Sequence, residues 1–153
     1  MGKRGAGASS TSVNGFRYNA RVLAQHLAGS LNGHAPARPP VSDVVAFLLR
    51  ELSSAPELWV QKGYLCRVVA AGAEGFVDED VVPLAHFLDS SGPDAIAASV
   101  EVDDAGRLIP MVYVRRGAEV AEHQLEPHPL HEYESENYRR ELALLLAPVL
   151  GSA

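Results

Sequence analysis

Residues 95–102 and 108–114 are two short apolar runs separated by Asp103, Asp104, Ala105 and Gly106, and no other feature of the chain constrains its fold as tightly. Glycine supplies a positive φ and aspartate caps locally, so the pair reads as an antiparallel hairpin. Pro110 cannot donate to a ladder. The second strand is therefore expected at a sheet edge, or turned so that this position faces away from its neighbour. Beyond Arg115, Arg116 and Gly117, which read as a solvated turn, a third short strand over 118–125 would complete a meander.

The flanking sequence reads mostly as helix. From Asn14, a candidate N-cap, apolar residues recur at Phe16, Ala20, Leu23, Leu27 and Leu31, while Arg17, Arg21 and Gln25 fall on another face. An amphipathic helix with a basic side is expected over 14–33, ended by Asn32 and Gly33. Residues 34–41 hold three prolines and form an extended connector, the best candidate hinge. Ser42 can cap a second helix, with Asp43 in its first turn and a core stripe of Val44, Val45, Leu48, Leu49 and Leu52; Ser53, Ser54 and Pro56 stop it.

Residues 57–71 suit either a helix after Pro56 or strands around Lys62 and Gly63, with the balance toward helix. Asp80 then resembles an N-cap that leaves Pro83 in a first turn, so the carboxylates of Asp78, Glu79 and Asp80 read as a capping cluster. Ser135 caps a last helix whose apolar face is Tyr138, Leu142, Leu145 and Val149, widened by Leu144 and Leu146. The expected architecture is α+β: one domain of helices flanking a small antiparallel sheet of about three strands.

Charge divides the chain. Residues 1–40 carry Lys3, Arg4, Arg17, Arg21 and Arg38 and no acid, a net +5, which leaves −11 on residues 41–153 of the overall −6. The two parts should attract each other. Residues 1–13 are rich in Gly, Ser and Ala and read as a flexible basic arm ahead of a domain over 14–153 whose acidic body spans 42–153. The arm and helix also have the composition of an organelle transit peptide, or of a segment that lies on phosphates, although the body would repel a polyanion.

The lone cysteine, Cys66, lies in an apolar stretch and reads as a buried, inert thiol; with no intramolecular disulfide possible, a reducing, cytoplasmic setting is expected. No apolar run is long enough to span a bilayer. Trp59 and Tyr64, large aromatics in an apolar segment, read as core.

Two constellations are candidates for function. Arg17 and Arg21 could dock on an acidic protein partner. His123, His128 and His131 lie among Glu122, Glu126, Glu132, Glu134 and Glu136 and could bind zinc or a related divalent metal, although Pro127 and Pro129 prevent the helical spacing such sites use. There is no Gly-x-Ser-x-Gly elbow, no phosphate-cradling Gly-Lys-Ser/Thr loop and no His-Glu-x-x-His. These features together point to a non-enzymatic interaction or regulatory protein, such as an adaptor, assembly factor, immunity protein or chaperone-like subunit, with a homodimer plausible and nucleic acid disfavoured. The alternative is a small metal-binding protein or enzyme with its site at residues 122–136.

Overall fold

The computed structural model describes residues 13–32 and 38–151. Most of the expected basic arm and the first half of the proline-rich connector lie outside the described residues. The elements run α1 (Val13–Asn32), α2 (Val44–Ser54), α3 (Pro56–Val60), β1 (Leu65–Gly72), β2 (Gly75–Pro83), α4 (Leu84–Asp89), β3 (Ala95–Val102), β4 (Leu108–Arg116), β5 (Glu119–Gln124) and α5 (Glu136–Leu150). The class is α+β, but the sheet has five antiparallel strands, in the order β2-β1-β3-β4-β5, in place of the three expected.

The meander β3-β4-β5 forms where the hairpin signature placed it. The Asp103 carboxylate accepts from the N–H groups of Ala105 and Arg107, and Gly106 takes the positive φ of 78° that closes the turn. β4 is interior, not an edge. Pro110 is tolerated because its carbonyl accepts from Leu125 N–H just past the end of β5, so its missing donor falls beyond the end of the β4–β5 register.

The two extra strands replace elements read differently from the sequence. In 57–71 only Pro56–Val60 is helical, and Leu65 onward forms β1. Asp80 is not a helix cap. It sits in β2, where Arg67 pairs with Val81 but Val69 pairs with Asp78, so Glu79 and Asp80 together oppose Val68 in a β-bulge. At this bulge Asp80 adopts φ 66°, the left-handed region that Asp tolerates better than most residues. The sheet edge formed by β2 is covered in part by the end of the connector: Asp78 N–H donates to Pro39 and Val41 N–H to Phe76, with Pro40 bridged to Val77. That half of the connector is tied down.

Both sheet faces are apolar, so both are packed. One carries Val69, Ile96, Ala98, Val100, Val112 and Val114 and lies under α2 and α5. The anticipated stripe of α2, from Val44 to Leu52, is buried in full, with Asp43 rather than Ser42 as the N-cap. In α5 the inward residues are Tyr138, Leu142, Leu146 and Val149; Leu145 is partly buried and Leu144 is exposed. The opposite face, with Cys66, Val68, Ala97, Met111 and Tyr113, is covered by Leu84 and Phe87 of the short α4. Among the described residues, no helix is long and apolar enough to cross a membrane.

Candidate docking site on the first helix

The first helix packs with its polar side inward. Gln61, itself fully buried, donates through Nε2 to the Gly15 carbonyl at 2.7 Å and to Asn19 Oδ1 at 3.1 Å. One turn on, Arg21 donates to both oxygens of Asp80, at 3.0 and 3.1 Å, and Gln25 donates to Asp80 Oδ2 at 2.7 Å. Arg21 also lies 3.7 Å from Glu57. The basic front and acidic rear of the chain thus meet within the molecule, as their opposite charges require.

Asp80 is the centre of this contact. Arg67 Nη1 donates to its Oδ1 at 3.0 Å from the other side, while Arg67 also pairs with Asp78, lies 3.6 Å from Glu51 and rests over the Phe47 ring. Backbone N–H groups complete the shell: that of Val81 donates to Asp80 and that of Asp80 to Asp78, both at 2.8 Å. Burial works against ionisation of Asp80, but the hydrogen bonds from Gln25, Arg21 and Val81 outweigh it and hold the carboxyl below its ordinary range. Glu51 shows the reverse: burial raises its pKa and Arg67 offsets only part of the rise. Arg38 pairs with Glu79 at 2.7 Å, a third basic-to-acidic link.

Between α1 and β2 runs a groove of about 910 Å³, lined by Val22, Leu23, Tyr64, Val82, Pro83 and His86 among others. Its β2 wall offers few free donors, because the Asp80 and Val81 N–H groups are taken by carboxylates and Pro83 has none. An added strand would find little to pair with there.

The consequence for the outward side of α1 is the main feature of the surface. Phe16, Leu23, Leu27 and Leu31 are between 47% and 81% exposed, and Ala20 and Ala24 lie exposed among them. A helix stripe of this length normally faces a core. Here it faces solvent, with Leu23 at the mouth of the groove, and Arg17, stacked on the Tyr18 ring, stands at its rim.

The candidate site residues fare differently. Arg21 is engaged by the chain's own Asp80 and Glu57, and Arg17 is exposed. The three histidines are not brought together. His123 sits in β5 opposite Val112. His128 Nδ1 accepts from the N–H groups of Leu130 and Glu132 and organises a turn, and His131, at φ 57°, packs its ring on Trp59 with centroids 4.6 Å apart. Among the described residues, no three His, Cys, Asp or Glu side chains are grouped to hold a metal. Cys66 is fully buried, and burial pushes its thiol far above the usual range.

Sequence reasoning missed Asp80, Gln25 and Gln61 as the anchors of α1. The available signal was the acid-free helix followed by a carboxylate-rich segment, which gives attraction but not which residue receives it. No family model matches the chain, and comparison with curated proteins and with solved structures finds no match.

Proposed function

We propose that the chain is a non-enzymatic interaction or regulatory protein that binds a protein partner through the outward face of α1. The observation that supports it is the orientation of that helix: its polar side is committed to Asp80 and Gln61, which leaves Phe16, Leu23, Leu27 and Leu31 in solvent. An apolar patch with a polar rim is the usual mark of a protein interface, and exposed aromatic and aliphatic side chains are its anchors. The body provides a rigid base, and the bonds at Asp80 fix the helix on it before binding, which lowers the ordering cost of association.

A photo-reactive residue at Leu27 is the direct test. It should cross-link to one protein, identified by mass spectrometry, whose complex with the chain re-forms from purified material and is lost in the L23E/L27E variant. Absence of any cross-link specific to this position, or a reconstituted complex indifferent to the two glutamates, would remove α1 as the docking face.

A further inference from the structure

We infer that the occupant of the exposed α1 stripe is a second copy of this chain, with the two helices packed antiparallel about a two-fold axis that passes between Leu23 and Ala24. This rests on the docking role of α1 and names its partner.

The first support is the spacing of the stripe. Among the described side chains, its exposed members from Phe16 to Leu31 are Phe16, Ala20, Leu23, Ala24, Leu27 and Leu31, so the steps are four, three, one, three and four residues. The order is the same read from either end. An isologous interface requires that symmetry, because residue i must meet residue j and j must meet i. Reversal places Phe16 against Leu31, Ala20 against Leu27 and Leu23 against Ala24, which pairs a large with a small side chain at the two inner layers. Steps of three and four also keep the seam on one side of a nearly straight helix.

Charge selects the antiparallel arrangement. α1 carries no acidic residue, and its cation at the stripe's rim is Arg17. In a parallel pair the two Arg17 side chains would meet across an interaxial gap of about 8–10 Å. In the antiparallel pair they stand about 20 Å apart. Each then lies beside the last turn of the partner helix, whose free carbonyls favour a cation.

The segments of this sequence outside the described residues offer little apolar surface to cover the stripe. Residues 1–12, 33–37 and 152–153 contain one large apolar side chain, Met1. A seam about 22 Å long is shorter than a permanent interface of roughly 1,200 Å² demands. The pair should therefore be in concentration-dependent exchange, with a dissociation constant on the order of 10 µM.

The test is sedimentation of the full chain across roughly two decades of concentration around that value. The expected result is a monomer–dimer equilibrium whose dissociation constant rises at least about tenfold in L23E/L27E, with the thermal melt unchanged well below the parent's dissociation constant, where both proteins are monomers and neither leucine is buried. In parallel, A24C should oxidise to a disulfide-linked dimer, whereas A143C on the exposed side of α5 should not. A monomer at every concentration, a dimer that survives the two glutamates, or equal cross-linking of both cysteine variants would overturn the inference. A wild-type monomer that still cross-links through Leu27 to a different, identified protein would overturn the two-fold pair alone and leave the docking role of α1 standing. A monomer with no cross-link would end both.

Discussion

Arg21 in α1 donates two hydrogen bonds, of 3.0 and 3.1 Å, to the carboxylate of Asp80, 59 positions further along the chain. The pair joins the basic front of the sequence to its acidic body, and Gln25 and Arg67 converge on the same carboxylate. Replacing Asp80 by Asn keeps a residue that tolerates φ 66° but removes the charge that three side chains share. Because Arg21 is half exposed, solvent screening reduces the loss to about 1 kcal/mol. Hydrogen exchange should show the amides of α1 opening faster in Asp80→Asn, with those of β3 and β4 unchanged. Equal protection of α1 in both proteins would mean that Gln61 alone holds the helix.

The same contact has a pH dependence with a defined sign. The folded-state pKa of Asp80 is depressed, so its contribution is fully present above the unfolded value of about 3.9 and is lost as pH falls through the folded value. Protection of α1 should be flat from neutral pH to about 5 and should fall only in stronger acid. Loss of protection near pH 6 would assign the control to a histidine.

Glu101 should behave in the opposite way. Burial raises its pKa, the hydrogen bond from Tyr113 offsets part of that rise, and the Glu122 charge adds to it. A raised carboxyl binds its proton more tightly in the folded state, so stability is lost as pH rises from about 4.3 through the folded value. Glu101→Gln retains an acceptor for the Tyr113 hydroxyl and has no charge to bury. Urea unfolding between pH 4 and pH 8 should show a smaller loss with rising pH in the variant than in the parent, with Glu51 supplying the remaining slope. Identical slopes would show that the Glu101 carboxylate is solvated.

The parts of this fold that could be read from sequence are those whose local signals agree with their tertiary environment. α2 has a cap, a stop and one apolar stripe, and the stripe is buried. The β3–β4 turn carries the Asp and Gly its dihedrals need. β1 and β2 were hidden because their alternation is broken by charges that only the folded state neutralises. Arg67 interrupts an apolar run and is matched by Asp78 and Asp80 from the neighbouring strand, while the bulge at Asp80 shifts the period by one residue. The stripe of α1 was legible as a stripe. Periodicity gives the angular position of a face but not what lies opposite it, and here the strongest partners for the helix lay on its polar side.

Cys66 offers a probe of global opening. It is fully buried against Val82 in the second core layer, and its thiol is held protonated by burial. A thiol-specific reagent at pH 8 should leave the native protein unlabelled, with labelling rising in urea along the same curve as the loss of sheet signal. Labelling that precedes the loss of sheet signal would show that the β1–α4 layer opens on its own.

Arg115 holds that layer closed from its other end. It is 7% exposed, and no described carboxylate lies within ion-pair distance. Its Nη1 instead approaches the Phe87 and Ser90 carbonyls at 3.5 Å, its Nε donates to the Pro93 carbonyl at 3.2 Å, and its guanidinium lies over the Phe87 ring, 4.6 Å from the centroid. The cation thus satisfies carbonyls at the end of α4, where the helix dipole favours positive charge. Arg115→Met preserves the packing of the stem but removes the donor to the Pro93 and Ser90 carbonyls, at a cost of about 1–3 kcal/mol, while the Phe87 carbonyl keeps the Ser90 hydroxyl. Arg115→Lys should fail to restore the loss, since an ammonium cannot span carbonyls that a planar fork reaches together. Gly92→Ala places a methyl 3.1 Å from Nη2, at the mobile end of the side chain, and should cost less than either. Urea unfolding of the three variants orders them, and a fully stable Arg115→Lys would show that the site requires charge without the fork.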